Sequence, residues 1–279
     1  MKKSFATNLS YEIPHELKKY VVSIIEGKSK YKMDTLYPVF ATGYPVLIYV
    51  YDSVPVISVD GFETKPSSRV QIAGQIFDAD ISIRLQGKFG QIGLVLHPLT
   101  TYYLFNKPGS YFLNKWCNFQ DIVPIAIDKD LQLALSACKT TDDRIKILFE
   151  FLKSLLDTKR PEIKWLETAI KKIYSLGGNI TQEELSVLVD ISLRHFRRKF
   201  KEVVGISPKY FCKVIQLNTV FEMLNTTNTE RLHHLALDCG YYDQAHFIND
   251  FKKMIGSSPR NFLEGKHSFV KDYMGRKTL

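Results

Sequence analysis

The sequence lacks any long apolar segment, and no run of 18 apolar residues occurs in its 279 residues. A helix needs about 20 mainly apolar residues to cross a bilayer, so neither a membrane span nor a membrane partner is predicted. The N-terminal stretch "MKKSFATNLSYEIPHEL" has two lysines with no apolar run behind them, which is not the pattern of a signal peptide. We therefore expect a cytoplasmic protein.

Cysteine and histidine are scarce. The four cysteines are Cys117, Cys138, Cys212 and Cys239. No two of them lie within five residues of each other, so zinc-knuckle spacing is absent and free buried thiols are expected. The N-terminal half has only His15 and His97, whereas a metal site needs clustered ligands. We expect no metal and no cofactor.

Recognisable catalytic patterns are missing as well, including GxGxxG and P-loop stretches. His97 precedes a proline and is expected at a strand end. Ser207 and Ser258 have no base at a suggestive spacing, and capping of a helix explains both of them. We expect no catalytic residues and no enzymatic activity.

Acidic residues are slightly outnumbered by basic ones. The 38 basic and 29 acidic side chains give a net charge of +9, which suits a polyanionic partner without proving one. The excess is concentrated between Ser192 and Lys213, where seven basic residues accompany a single acid, Glu202.

The first part of the chain reads as strands. β-Branched and aromatic or alternating runs cover 46–51, 54–59, 81–86 and 91–97, with Gly, Pro, Asp and Asn between them. This spacing predicts an antiparallel barrel or sandwich. The segment "IPHELKKYVVSIIEG" fits a helix or a strand.

From about Asp128 the hydrophobic period becomes helical. A helix over 142–157 is predicted to have an apolar stripe, made of Ile145, Leu148, Phe149, Leu152 and Leu156. This stripe could be buried within the chain or could dimerise. "TKRP" (158–161) then interrupts the chain, with Pro161 expected as the first residue of the next helix. "TQEE" (181–184) predicts a capping box, followed by a short helix with Leu185, Leu188 and Val189 inward.

Two stretches of the C-terminal region repeat each other at an offset of 51 residues. "HFRRKFKEVVGISPKYF" (195–211) and "HFINDFKKMIGSSPRNF" (246–262) share eight of seventeen residues. Each copy contains an N-cap, two inward phenylalanines, a helix-ending glycine and a Ser-Pro start for the next helix. The paired residues are Ser192/Asp243, Phe196/Phe247, Phe200/Phe251, Gly205/Gly256, Ser207/Ser258 and Pro208/Pro259.

A shorter helix precedes each copy, "TQEELSVLV" and "ERLHHLALDC", across the turns "DI" and "GYY". This pattern predicts two helix-turn-helix units joined by a long helix from about Pro208 to Leu224. The outward face of the first unit's second helix is basic, and that of the second unit is largely neutral. The candidate contacts on these faces are Arg194, Arg197, Arg198 and Lys201 in the first, and Gln244, Ala245, Asn249 and Lys252 in the second. Such side chains can reach bases or phosphates in a major groove.

"LSVLVDISLRHFRRKFKEVVGISPKYF" and "LALDCGYYDQAHFINDFKKMIGSSPRNF" make residues 165–265 resemble the DNA-binding domain of the AraC/XylS family of transcription regulators. The resemblance implies base contacts by Arg194, Arg197 and Arg198 in the first unit, and by Gln244, Ala245, His246 and Asn249 in the second. His195 and His246 are expected to pack or to contact phosphate. The chain departs from the family pattern at Asp190, Gln216 and Asn249, where glycine, arginine and arginine are usual. Aspartate tolerates the left-handed conformation that the turn glycine would adopt, so we expect it at Asp190.

The strands resemble, less specifically, the cupin-like sensor domains that precede this module. The resemblance implies a small effector, although its contact residues are unknown. The expected fold is α+β with two domains: a β-rich cupin-like barrel (1–127), a helical linker or dimerisation segment (128–160), an all-α double helix-turn-helix domain (161–265) and a polar tail (266–279).

We therefore expect a sequence-specific DNA-binding transcription regulator that reads adjacent major grooves. Its expected partners are double-stranded DNA, RNA polymerase if it activates, a small-molecule effector and a second copy of the chain. The alternative is a β-barrel ligand-binding protein or enzyme with an accessory DNA-binding module, as in repair proteins that need an activated cysteine or a Cys-rich zinc site. A third option is a sensor that binds another protein.

Overall fold

A β-rich N-terminal region precedes a helical C-terminal region in the computed structural model, which describes residues 6–226 and 232–264. The predicted α+β class, with strands first and helix-turn-helix elements last, is confirmed. The division of the chain into the four predicted ranges stays a prediction, and the tail at 266–279 lies outside the described residues.

The strands form two antiparallel sheets. Their bounds are β1 (Ala6–Leu9), β2 (Val21–Lys28), β3 (Met33–Val39), β4 (Val46–Val50), β5 (Val56–Val59), β6 (Phe62–Thr64), β7 (Val70–Ala73), β8 (Ile81–Gly87), β9 (Gly90–Leu96) and β10 (Trp116–Asn118). One sheet has six strands in the order β1-β2-β9-β4-β7-β10, and the other has four in the order β3-β8-β5-β6. The segment 13–27, whose sequence fits a helix or a strand, forms a 3-10 turn at His15–Leu17 followed by strand β2.

The six-stranded sheet is covered on both faces, which explains why all five residues of β4 are buried. On one face Leu47 and Tyr49 join a core shared with the helices. On the other face Val46, Ile48 and Val50 form a separate apolar cluster, turned toward the second sheet. Strand β8 of that second sheet alternates as predicted, with Ile81 and Leu85 buried and Arg84 and Gln86 exposed.

The helices come after the strands except for α1, which precedes β10. Their bounds are α1 (Thr100–Leu104), α2 (Ile125–Ala137), α3 (Thr141–Ser154), α4 (Lys164–Ser175), α5 (Gln182–Leu188), α6 (Leu193–Val204), α7 (Pro208–Thr226), α8 (Leu232–Asp238), α9 (Gln244–Ile255) and α10 (Pro259–Glu264). The expectation that Pro161 starts a helix is wrong, since α4 begins at Lys164. The residues before it are held in an extended connection: Arg160 N–H donates to the Tyr103 carbonyl at 2.9 Å, and Glu162 accepts from Lys19 and Lys159 at 2.8 Å each.

The predicted stripe on α3 is buried within the chain. Ile145, Leu148, Phe149 and Leu152 are each at most 3% exposed, and the Phe149 ring lies 6.0 Å from the ring of Tyr11 near β1. Of the two uses foreseen for this stripe, intrachain packing is therefore the one observed. Leu156 lies beyond α3 in a 3-10 turn and is only partly buried.

Three of the four cysteines are buried free thiols, as predicted. Burial raises the pKa of Cys117 to about 11 and that of Cys212 to about 12. The expectation of burial is wrong for Cys138, which is partly exposed at the end of α2. Within 6–226 and 232–264, no helix is long and apolar enough to cross a membrane.

Candidate nucleic-acid interface

The first unit is built from α5 and α6, and α5 begins at the predicted capping box. Thr181 Oγ1 accepts from the Glu184 backbone N–H at 3.1 Å, and the Glu184 carboxylate accepts from the Thr181 N–H at 2.8 Å. These bonds satisfy two N–H groups that the first turn of a helix leaves without partners. The hydrogen bond from the Thr181 backbone N–H and a second one from the Thr181 hydroxyl lower the pKa of Glu184, and the backbone bond contributes most.

The turns of the two units use the same hydrogen bond. After α5, Asp190 has φ of 51° and the Ile191 N–H donates to the Ser186 carbonyl at 3.0 Å. After α8, Gly240 has φ of 82° and the Tyr241 N–H donates to the Ala236 carbonyl at 3.0 Å. The prediction that aspartate would accept the left-handed conformation at 190 is confirmed.

The repeated ends of the second helices also match. Gly205 and Gly256 end α6 and α9 with φ of 96° and 78°, a conformation that only glycine adopts cheaply. Ser207 and Ser258 accept from backbone N–H groups three residues later at 3.2 Å each. Both predictions are confirmed, and capping accounts for the two serines.

The two N-caps differ. Asp243 Oδ1 accepts from the His246 N–H at 2.7 Å, as predicted. Ser192 occupies the N-cap position of α6 but its side chain makes no capping bond, so the expectation of a matching cap is wrong there. The Ser192 carbonyl still accepts the first hydrogen bond of the helix, from the Phe196 N–H at 2.9 Å.

Inward-facing residues of the units follow the predicted pattern with one exception. Phe196, Phe200, Phe247 and Phe251 are at most 1% exposed, and Leu185 is fully buried. Leu188 was expected to face inward but is 49% exposed. The buried residues of α5 are Leu185 and Ser186 instead.

All ten predicted contact residues lie on the solvent-exposed side of the second helices. They are Arg194, His195, Arg197, Arg198 and Lys201 on α6, and Gln244, Ala245, His246, Asn249 and Lys252 on α9. Each helix therefore presents five of them from an element whose opposite face is fixed by buried phenylalanines. The assignment of these residues to DNA contacts stays a prediction.

Arg197 is exposed but already engaged. Its Nε donates to Gln182 Oε1 at 2.8 Å, and its Nη2 lies 2.9 Å from Glu183 Oε1, both on α5. Neither partner could be assigned from the sequence, because the contact crosses the turn between the two helices. An exposed ion pair of this kind contributes little to stability, so a phosphate or a base edge can replace Glu183.

His246 of the second unit contacts neighbouring side chains. His246 Nε2 lies 3.3 Å from Asp250 Oδ2, and its ring is 5.3 Å from that of Tyr241. Lys213 on α7 donates to both carboxylate oxygens of Asp250 at 2.7 and 2.6 Å. The packing role foreseen for His246 fits this position, which connects α9 to α7.

Gln216 ties the long helix to the second unit. It is 8% exposed, and its Nε2 donates to the Cys239 carbonyl at the end of α8 at 2.8 Å. The bond satisfies a carbonyl at the helix end that would otherwise be buried without a partner. In the sequence Gln216 stands out only as a departure from the family pattern, because its partner Cys239 lies 23 residues away.

The first unit is also fixed to the N-terminal region. Lys199 Nζ on α6 donates to Tyr102 Oη at 3.1 Å and pairs with Glu202 at 2.7 Å. The hydrogen bond from Lys199 lowers the pKa of Glu202, and the Arg160 guanidinium lies 4.2 Å above the Tyr102 ring. In the described part of the chain, no group of three or more His, Cys, Asp or Glu residues could hold a metal ion.

The sequence of the C-terminal region is similar to that of known proteins. Residues 185–265 match the family model described as a helix-turn-helix domain. The HTH-type transcriptional activator RhaS of Escherichia fergusonii is 26% identical over 104 residues, which are 37% of this chain and 35% of RhaS. The HTH-type transcriptional regulator GbdR of Pseudomonas aeruginosa is 25% identical over 115 residues, 41% of this chain and 30% of GbdR.

Among solved structures, ToxT of Vibrio cholerae O395 is similar with a TM-score of 0.48 at 13% identity, over 88% of this chain and 98% of that chain. The chain spans about a third of the length of the curated relatives that it matches. The prediction of a helix-turn-helix domain in the C-terminal region is confirmed by the family match.

Proposed function

We propose that this chain, whose residues 185–265 match a helix-turn-helix domain, is a transcription regulator of the AraC type. It binds specific sequences in double-stranded DNA, with α6 and α9 entering adjacent major grooves. The observation that carries the proposal is the pairing of two equivalent recognition helices on one connecting helix, α7. Each has a buried phenylalanine face and an exposed face with the predicted contact residues.

The two helices divide the work of binding. Arg194, Arg198 and Lys201 give α6 an exposed cationic face, which suits guanine edges and phosphates. Gln244 and Asn249 give α9 exposed amides, which suit adenine. Affinity therefore comes chiefly from the first unit, while the second adds sequence preference.

The N-terminal region modulates this binding when an effector is present, and RNA polymerase is a further partner if the regulator activates transcription. The protein works in the cytoplasm by binding rather than by catalysis. Because the α3 stripe is buried within the chain, a homodimer would have to form through another surface. Sedimentation at micromolar concentration tests whether the chain forms a homodimer. A dimer that dissociates when residues of the α3 stripe are substituted would contradict a dimer surface elsewhere.

Selection of bound fragments from genomic DNA tests the proposal directly. We expect a small set of enriched sequences, and a footprint in which one chain protects two major-groove segments about 10–10.5 base pairs apart on one face of the duplex. Protection of a single groove by each chain would contradict the two-unit arrangement. Binding without enrichment of any sequence would contradict a specific regulator.

A further inference from the structure

A partly open cavity lies between the two sheets of the N-terminal region. Its volume is about 90 Å³, and both sheets line it. The lining includes Ile25 and Ile48 from the six-stranded sheet, Ile83 and Leu85 from the four-stranded sheet, and Trp116. A water molecule needs about 10–15 Å³ of such space, so the cavity has room for a small organic molecule.

The chemistry of the lining restricts what the cavity can hold. Among the residues that the structure describes, no Asp, Glu, Lys, Arg or His lines it. Its polar side chains are the hydroxyl-bearing Tyr37, Thr42 and Tyr44 and the amides of Gln75 and Gln91. Gln75 Nε2 already donates to the Gly43 carbonyl at 2.8 Å. An ionised ligand would lose its hydration without gaining a counter-charge. These few groups can bind a single hydroxyl or carbonyl group, whereas the apolar remainder of the lining would leave the further hydroxyl groups of a polyol without partners.

One short segment separates the cavity from the C-terminal region. Phe40, Thr42 and Tyr44 line the cavity. The Phe40 ring lies 6.5 Å from Phe262 on α10. Because this segment carries both cavity-lining residues and contacts to the C-terminal helices, a change in the cavity wall is also a change in those contacts.

Further contacts of the segment 40–44 reach α4 and α7. The Thr42 carbonyl accepts from Asn218 Nδ2 on α7 at 2.7 Å, and the Tyr44 ring stacks on Tyr174 of α4 at 5.6 Å. Gly43 between them has φ of 80°, and a Cβ there would lie 3.0 Å from Ile215 of α7. The segment thus packs against helices that support both units.

From this geometry we propose that the cavity binds a small, uncharged, mainly apolar molecule, and that the segment 40–44 transmits its presence to the DNA-binding helices. The second clause rests on the proposed function, whereas the first does not. Ligand binding therefore has to be measured without DNA as well as with it.

The test of the site uses a matched pair of probes, 1-octanol and octanoate, titrated into the full chain by calorimetry at neutral pH. We expect 1-octanol to bind one site per chain, and octanoate to bind at least tenfold more weakly. Binding also changes the fluorescence of Trp116. Equal binding of the two probes, or no binding of 1-octanol, overturns the proposed ligand class.

Paired variants on strand β8 locate the site. Leu85 faces the cavity and Gln86 faces solvent, so Leu85→Trp fills the cavity while Gln86→Trp adds the same group outside it. We expect only the first to abolish binding of 1-octanol. If circular dichroism shows that Leu85→Trp is unfolded, Ile83→Phe replaces it. Unchanged binding in a folded cavity variant places the ligand elsewhere and overturns the site.

Transmission is measured on a DNA fragment from the genomic selection. Saturating 1-octanol should change DNA affinity at least threefold in the wild type and not in the cavity variant. Asn218→Ala removes the bond to Thr42 without touching the cavity, so it should bind 1-octanol but show a smaller effect on DNA. Binding of 1-octanol with unchanged DNA affinity overturns the second clause. If no DNA is bound at all, the proposed function fails while the titrations still decide the site.

Discussion

The two helix-turn-helix units have the same local structure but different settings. The first unit shares a continuous core with the strands and α3, which contains Leu47, Leu148, Phe196 and Phe200. The second packs Phe247, Phe251 and Phe262 into a separate, smaller cluster with the end of α7. The comparison teaches that the repeated residues determine the shape of a unit, while residues outside the repeat determine how it is anchored.

The backbone of the first unit approaches the N-terminal region closely at two glycines. A Cβ on Gly205 would lie 2.7 Å from the Gly109 carbonyl oxygen, and a Cβ on Gly109 would lie 2.4 Å from the Gly205 nitrogen. Gly256, the counterpart in the second unit, has no heavy atom within 4 Å of its Cβ position. Equivalent positions of the repeat therefore face a crowded backbone in one unit and open space in the other.

Substitution of these glycines should give the largest difference between the units. Both have positive φ, so alanine costs about 1–2 kcal/mol at either position. Gly205→Ala adds the overlap with Gly109, and we expect a total of about 2–5 kcal/mol. Urea denaturation followed by circular dichroism measures both variants. Equal losses of stability would show that the tight contact does not anchor the first unit.

Local features of the repeat could be predicted because they depend on neighbouring residues. The capping box at Thr181, the left-handed Asp190 and the helix-ending glycines all follow from spacings of a few residues, and all are observed. The missing cap at Ser192 and the exposed Leu188 are exceptions of the same local kind. There the surrounding structure overrides a preference that is worth about 1 kcal/mol.

Long-range features could not be predicted, for a physical reason. Gly109 meets Gly205 across 96 residues, and Lys199 meets Tyr102 across 97. No periodicity in the sequence records such contacts. The strand order places β9 between β2 and β4, so the uncharged cavity arises only when several distant segments come together.

The candidate contacts on α6 and α9 allow a second comparison, in DNA affinity. Arg198→Ala removes an exposed cation from the first unit, and we expect a loss of about 1–3 kcal/mol and a salt slope smaller by about 1. Asn249→Ala removes a neutral group from the second, and should change base preference with little change of slope. Binding to one selected fragment across a salt series measures both.

Two results would reverse this comparison. If Asn249→Ala flattened the salt dependence as much as Arg198→Ala does, the second unit would carry the electrostatic contacts. If Arg198→Ala bound as tightly as the wild type, the first unit would not be the main anchor on DNA. Arg197→Ala is a useful third variant, since Arg197 has to exchange its contact with Glu183 before it can reach DNA.

Acid should lower the free energy of unfolding through His97, the residue that follows β9. Burial, with a smaller effect of Lys171, lowers the pKa of His97 to about 4, below the unfolded value of about 6.5. The folded state therefore favours neutral histidine, and its contribution is complete above pH 6.5 and is lost as pH falls toward 4. We expect a loss of about 1–2 kcal/mol of unfolding free energy between pH 7 and pH 5.

His97→Gln tests this assignment, because glutamine does not titrate in that range. The variant should show a flatter dependence of the urea midpoint on pH between 7 and 5. His15→Gln, at an exposed site, serves as the control and should follow the wild type. An unchanged acid response in His97→Gln would place the titrating group elsewhere.

The smallest expected difference concerns the N-caps, where the second unit is the better built of the two. Asp243 accepts a bond from the His246 N–H, whereas the Ser192 side chain makes none. Asp243→Ala should therefore cost about 1 kcal/mol, and Ser192→Ala should stay within about 0.5 kcal/mol. Asp243→Asn keeps an accepting oxygen and should restore most of the loss, while removing a negative charge from the helix that we propose enters the major groove. Thermal unfolding of the three variants measures the caps, and DNA binding by Asp243→Asn should be tighter than by the wild type. Equal costs for the two alanine variants would mean that the difference in capping has no energetic consequence.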